Sequence, residues 1–523
     1  TVFPLFFFMV AALVCMTTMT RMVDEQRTQI GVLKAMGYTR GAIMGKFVFY
    51  SGSAATIGSI IGFFFGSTVF PKVIWMAYSL MYGFAEIELV FDWGMGALAL
   101  GAALLCSVGA TWFSVRRELN VTPAELLRPA APKAGKRILL ERIRPLWRRL
   151  SFMHKLTVRN IFRYKKRLVM MIIGIGGCTA LLVTGLGIRD SISDVVNYQF
   201  DEITLYDVSV TFIDAQDEAA QEAFRAAAGE DAQSLFVHES TVDASAGGTT
   251  KSVYLVATQA ESLDGFIDMH MDEEPVAMPG EGEAVISQGL AETLGVQVGD
   301  TITVRDSDMN PAQLTISGVF ENYIYNYVFA RPETMEAEWG YAPEVKSAYV
   351  AVTGDADPRA VAAELSALDG VGNVSANIDM RDRVNSMMES LDYIVMLVVF
   401  SAGTLAFIVL YNLTNINITE RTREIATVKV LGFFPRETAS YVFSENFLLC
   451  FISALAGLPL GKALHAFVMS QIRIDMIRFD VRVSLLSYGL AVVLTFAFAI
   501  LVNFALRFKL EKINMAESLK TVE

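Results

Sequence analysis

Charge is scarce in this chain. Only 19% of its 523 residues are charged, against about a quarter in soluble globular proteins. It is nearly missing from seven apolar blocks, at about 3–20, 44–68, 93–115, 168–188, 391–414, 441–466 and 483–506. Each is near the roughly 20 residues a helix needs to cross a bilayer. Each is apolar on every face, not along one stripe, which argues against buried helices of a soluble protein. Cysteine is rare as well. Cys15, Cys106, Cys178 and Cys450 are the only four, and all lie inside those blocks, so no disulfide scaffold or thiolate metal cluster is expected outside the membrane. No signal peptide is visible. The four histidines (His154, His238, His270, His465) are scattered and form no catalytic constellation. A phosphate-binding loop is missing too. The nearest approach, GAIMGKF at 41–47, is one residue short and puts Phe47 where a hydroxyl is needed. The chain is therefore not expected to bind a nucleotide or to hydrolyse ATP itself. Nor do the blocks carry the mid-depth ionisable groups of ion-coupled carriers, since Lys46, Asp392, Glu445 and Lys462 fall near block ends.

The net charge of −12 divides unequally. Residues 190–389 hold 8 basic and 37 acidic side chains, and the remainder holds 35 basic and 18 acidic. The basic excess sits in short connections, above all 116–167, which the positive-inside rule places in the cytoplasm. The acidic segment and the loop at 69–92 then face outward, and seven crossings alternate without conflict, ending with a cytoplasmic C-terminus. Within the acidic segment TITV (301–304), QLTISGVF (313–320) and SAYVAVT (347–353) alternate as strands do, PRAVAAELSAL (358–368) reads as a helix, and 282–304 as strand, helix, turn and strand. The segment SFMHKLTVRNIFRYKKR (151–167) reads as an interfacial helix on anionic lipid, not a nucleic-acid patch.

Internal similarity organises the rest. EQRTQIGVLKAMGY at 25–38 and ERTREIATVKVLGF at 420–433 lie 395 residues apart. In that register Glu25 meets Glu420, Ile30 meets Ile425, Lys34 meets Lys429, Gly37 meets Gly432 and Tyr38 meets Phe433, while Gly62 and Gly66 meet Gly457 and Gly461. PAELLR (123–128) and MAESLK (515–520) echo each other at the ends. Both copies face the same way, so the repeat is parallel. The first begins at what would be its second helix, and we expect a further crossing and outer domain ahead of Thr1. Each repeated loop reads as a short helix with an apolar stripe, Ile30, Leu33 and Met36 in one, Ile425, Val428 and Leu431 in the other. Charge flanks both (Glu25 and Lys34; Glu420, Glu424 and Lys429), and glycine ends both. Such stripes suit the groove of a partner protein. Gly58, Gly62 and Gly66, with Gly457 and Gly461 in the second copy, are spaced for close helix packing.

These loops, their glycine-rich following helices, KLTVRNIFRYKKR, and the outer GEAVISQGLAETLGVQVGDTITV resemble the FtsX-like permeases of MacB-type ABC transporters, in the two-unit form of Gram-positive bacteria. The fold expected is an α-helical membrane protein with seven transmembrane helices in two parallel repeats plus one extracellular mixed α/β domain. Its parts are a first FtsX-like unit (1–128), a basic cytoplasmic linker (129–150), an interfacial helix with the first crossing of the second unit (151–190), the extracellular domain (191–389) and the rest of the second unit (390–523). The resemblance implies two cytoplasmic ATPase subunits docked through the loop helices, with ATP and Mg²⁺ on those subunits. It further implies work passed to the outer domain of a plasma-membrane permease, on a peptide, lipid or lipopeptide. The alternative is a transmembrane regulator that signals to a cell-wall hydrolase or sensor kinase without moving a substrate.

Overall fold

A computed structural model describes residues 2–79, 87–126, 155, 159, 165–229, 232–354, 356–420, 422–472 and 477–511. The expected linker at 129–150 and most of the interfacial helix at 151–167 lie outside the described residues. The chain divides into a span unit (1–189, 391–468 and 483–523) and an outer unit (190–390 with 469–482).

In the span unit α1 (Val2–Glu25) leads through a short α2 (Arg27–Ala35) into α3 (Arg40–Ser79), then α4 (Trp93–Leu119) and the single turn α5 (Pro123–Leu126). Helix α6 (Lys165–Asn197) precedes the outer unit's elements, which include α7 to α10. Helix α11 (Asn377–Glu420) follows them, then the short α12 (Thr422–Val430), α13 (Pro435–Gln471) and α14 (Leu485–Glu511). Seven of these helices are long and apolar enough to cross a membrane. Their apolar faces cannot drive association within lipid, so small residues and buried hydrogen bonds carry it. Gly457 and Gly461 of α13 lie directly against α6, where the Thr184 hydroxyl donates to the Gly461 carbonyl at 3.2 Å. Asn417 Nδ2 donates to Asn446 at 2.9 Å inside the second copy, and Asn412 donates to Thr18 of α1 at 2.9 Å. Gly58, Gly62 and Gly66 do not match this. A β-carbon at any of them would meet no described atom within 4 Å, so the packing role expected of the first copy's glycines is not seen among the described residues.

The outer unit is built on β1 (Val208–Phe212), α7 (Glu218–Ala228), β2 (Ala232–Ala246), β3 (Thr249–Ala257), the short β4 (His270–Met271) and β5 (Glu274–Pro275), β6 (Glu283–Ser287) and α8 (Gln288–Leu294). It continues with β7 (Thr301–Arg305), β8 (Pro311–Phe320), β9 (Tyr327–Ala330), α9 (Pro332–Trp339), β10 (Ser347–Val352), α10 (Pro358–Ser366) and β11 (Val371–Ala376). The nine main strands run in the order β11-β1-β10-β2-β3-β9-β6-β8-β7, and β7 pairs back onto β2. Strands β2, β3, β9, β6, β8 and β7 thereby close into a barrel, which leaves no free edge on that side. Its interior is filled by alternate residues such as Ala312, Leu314 and Ile316 of β8, each at most 1% exposed. The fifteen-residue β2 belongs to two sheets. Ala232–Val237 pair with β10, and His238–Ala246 pair with β3. A second core, of Val208, Val210, Phe212, Phe224, Phe236, Ala348, Val350 and Leu365, lies under α7 and α10.

The segment 469–482, between α13 and α14 in sequence, belongs to the outer unit. Arg478 pairs with Glu292 at 3.2 Å and Asp480 at 3.0 Å, and Arg482 pairs with Asp480 at 3.3 Å. The Tyr323 hydroxyl donates to both Glu321 and Asp480 at 3.0 Å, and burial with those two carboxylates holds its phenol far above the usual tyrosine range. Behind Tyr323 the six-residue π-helical turn Tyr198–Ile203 presents Gln199. Gln199 Nε2 donates to Thr204 Oγ1 and Asn322 Oδ1 at 2.9 Å each, and its Oε1 accepts from the amides of Tyr323 (2.9 Å) and Ile324 (3.0 Å).

Candidate partner-docking site

Helix α2 is too short to be stable alone, and its sequence solves this by burying one stripe. Ile30 is 1% exposed in a cluster with Val23, Ile43, Phe47, Val115, Leu119 and Leu126, and Leu33 packs against it. Helix α12 does the same with Ile425, 0% exposed in the span-unit core that includes Leu506 and Leu510. Val428 is half-buried. Four of the six stripe residues therefore face their own bundle, and the stripe is not the partner surface its spacing suggested. Met36 and Leu431, the last of each stripe, are the exceptions, at 62% and 71% exposed.

The helix ends repeat bond for bond. Gly37 and Gly432 take φ of 88° and 91°, a left-handed conformation that favours glycine. The Gly37 amide donates to the Lys34 carbonyl and the Tyr38 amide to the Leu33 carbonyl, both at 3.1 Å. Gly432 donates to Lys429 at 3.1 Å and Phe433 to Val428 at 3.4 Å in the same pattern, a Schellman closure. Around these turns the apolar surface is open. Val32, Met36 and Tyr38 are exposed in one copy, and Val430, Leu431, Phe433 and Phe434 in the other. Reading by helical period missed all but Met36 and Leu431, because the others lie off the stripe or beyond the helix. The match of Tyr38 to Phe433 was the available signal.

The repeated lysines do not reach out to a partner. Lys34 Nζ donates to the carbonyls of Leu119 (3.0 Å) and Val121 at the end of α4, and Lys429 Nζ donates to the Leu510 carbonyl at 2.8 Å at the end of α14. A cation there satisfies carbonyls with no intrahelical partner and meets the negative end of the helix dipole. Arg27 adds a 3.8 Å ion pair to Glu118. Glu25 pairs with Arg21 of its own helix at 2.8 Å. The side chains of Glu420 and Glu424 lie outside the described set. Each loop helix is thus pinned, by one lysine and one isoleucine, to the last helix of its own copy. Lys34→Met and Lys429→Met should each cost about 1.5–3 kcal/mol, the range for hydrogen bonds to charged groups. Amide exchange should accelerate in the mutated copy's loop helix and not in the other.

Comparison with known families bears on both units. The model of the FtsX-like permease C-terminal domain matches twice, at residues 1–123 and 396–515, and that of the MacB-like periplasmic core domain matches residues 168–368. The chain belongs to the MacB-type FtsX-like permeases. It is accordingly an ABC transporter permease of the membrane, with an extracellular α/β domain and a cytoplasmic ATPase as partner. Two solved structures are similar to its outer unit. One is the extracellular domain of the noncanonic ABC-type transporter YknZ from Gram-positive bacteria, 11% identical, spanning 32% of this chain and 98% of that one, with a TM-score of 0.23. The other is the periplasmic region of MacB from Actinobacillus actinomycetemcomitans, 8% identical, spanning 35% and 94%, with a TM-score of 0.24.

Proposed function

We propose that two cytoplasmic ATPase subunits, holding ATP and Mg²⁺, dock on the exposed tips after α2 and α12 of this permease. Their closure moves the loop helices, and with them α4 and α14. The movement is delivered to the extracellular unit, which acts on a peptide, lipid or lipopeptide outside the membrane. The observation that supports this reading is the pair of matching tips: a left-handed glycine, exposed apolar residues around it, and a buried isoleucine and lysine behind. Two copies of one apolar surface suit two copies of one partner. Exposed apolar clusters on an otherwise solvated loop mark interaction sites.

Mass photometry of the permease co-purified with its ATPase tests this. Wild type should carry two ATPase subunits, Met36→Asp or Leu431→Asp one, and the double variant none. Each aspartate removes an anchor worth about 2 kcal/mol or more, so affinity at that tip should fall at least about 30-fold. Both positions are largely exposed, so the melting temperature should hold. Retention of both subunits by the double variant would refute tip docking. Full docking without ATP-dependent substrate movement would favour the regulator.

A further inference from the structure

The outer unit contains a group of side chains that the docking reading leaves without a role. Glu239 lies on β2 opposite Val256 of β3, and the next residue along that face of β3, Tyr254, lies opposite Tyr327 of β9. Strand alternation puts Glu239, Tyr254 and Tyr327 on one face. Tyr349 of β10 joins them, donating its hydroxyl to Glu239 Oε2 at 3.1 Å, and Tyr206 stacks on Tyr349 with ring centroids 4.3 Å apart. Tyr325 closes the other side, 5.4 Å from Tyr254, while Tyr254 and Tyr327 are 5.6 Å apart.

Three features of this group are unusual for a plain core. Glu239 is mostly buried, yet among the described residues it has no lysine or arginine partner and accepts one hydrogen bond, from Tyr349. Burial accordingly pushes its carboxyl above the usual range. The hydroxyls of Tyr254, Tyr325 and Tyr327 make no hydrogen bond within the described chain. Tyr325 sits at φ 63°, a strained conformation for an aromatic residue, held there by Asn322 Nδ2 donating to its carbonyl at 3.0 Å. Nothing in the packing of a hydrophobic core calls for a carboxylate, unpaired hydroxyls and a left-handed tyrosine together.

We propose that Glu239 and the tyrosines around it form a binding site for an organic cation, an ammonium or guanidinium group. Ring faces attract a cation through their quadrupoles, more strongly when water is excluded. The hydroxyl oxygens accept the hydrogen bonds that a cation must make, and the carboxylate neutralises its charge. The strained Tyr325 holds its ring in place before any ligand arrives. The site lies wholly within the outer unit and does not depend on where an ATPase docks.

Calorimetry on the full purified chain tests this with three acetylated probes: arginine amide, its neutral isostere citrulline amide, and a pentapeptide amide with one central arginine among alanines. At least one arginine probe should bind, with the citrulline probe at least about tenfold weaker, the difference one charge-assisted contact makes. Glu239→Gln should weaken binding about tenfold or more, Tyr254→Leu should weaken it several-fold, and Tyr254→Phe, which keeps the ring face and loses one acceptor, should weaken it less than leucine. Binding of the pentapeptide alone identifies a peptide-borne cation, and equal binding of both identifies the side-chain group as sufficient. If a variant lowers the melting temperature sharply, the citrulline comparison on wild type still decides. Equal binding of citrulline and arginine, or none of either arginine probe at about 10 mM, far weaker than ordinary recognition, would overturn the proposal.

Discussion

Gly461→Leu should collapse the span unit, whereas Gly66→Leu, at the equivalent position of the first copy, should be nearly silent. A β-carbon on Gly461 would lie 2.6 Å from Val183 Cβ and 3.0 Å from the Ala180 carbonyl oxygen. On Gly457 it would lie 2.6 Å from the Gly176 carbonyl oxygen and 2.8 Å from Thr179 Cβ. Backbone and branched β-carbons cannot swing aside, so α6 and α13 must separate, and the Thr184 bond to the Gly461 carbonyl is lost with the contact. Overpacking typically costs about 1–3 kcal/mol and occasionally more, and with rigid neighbours this close the upper end is expected. The measurement is the folded, monodisperse fraction after purification, with the melting temperature of what survives. At Gly66 an added β-carbon meets no described atom within 4 Å, and a change within about 0.5 kcal/mol is expected. Equal effects at the two positions would refute this account of the packing.

Gln199→Leu should have the next largest effect. Leucine keeps the volume but strands the amides of Tyr323 and Ile324 and leaves Asn322 Oδ1 and Thr204 Oγ1 without that donor. A buried polar group without a partner costs about 1–3 kcal/mol, so the loss should reach about 3–6 kcal/mol. Gln199→Glu retains an acceptor for both amides but buries a carboxylate against Asn322 Oδ1. It too should destabilise, and less so at a pH low enough to protonate it. Thermal unfolding of the full chain ranks the three. A leucine variant within about 1 kcal/mol of wild type would show that water takes over the role. The effect should also reach the cation site, since Tyr325 follows these two amides directly in the chain.

Much of this architecture is legible in the sequence because its signals are local. The seven apolar blocks correspond to seven long helices, and β6, β7, β8 and β10 announce themselves by alternation, Ala312, Leu314 and Ile316 all pointing inward. What stayed hidden depends on distant partners. Nothing in the polar run of β2 (HESTVDASA at 238–246) shows that it closes a barrel with β7. The stripe of the loop helices was visible, but its destination was not. A two-turn helix offers one apolar face, and the span bundle takes that face before a partner can. The lysines read as flanking charge until the ends of α4 and α14 were placed beside them. The glycines of α3 and α13 look alike in sequence and differ only in whether another helix lies across them.

Strand β2 has a thermodynamic consequence. Its first six residues belong to the sheet over α7 and α10 and its last nine to the barrel, so the two halves of the outer unit share one unbroken backbone. Neither can melt while the other keeps β2 extended and fully paired. Regions joined in this way open as a single cooperative block, and the outer unit should behave as one foldon, not as two.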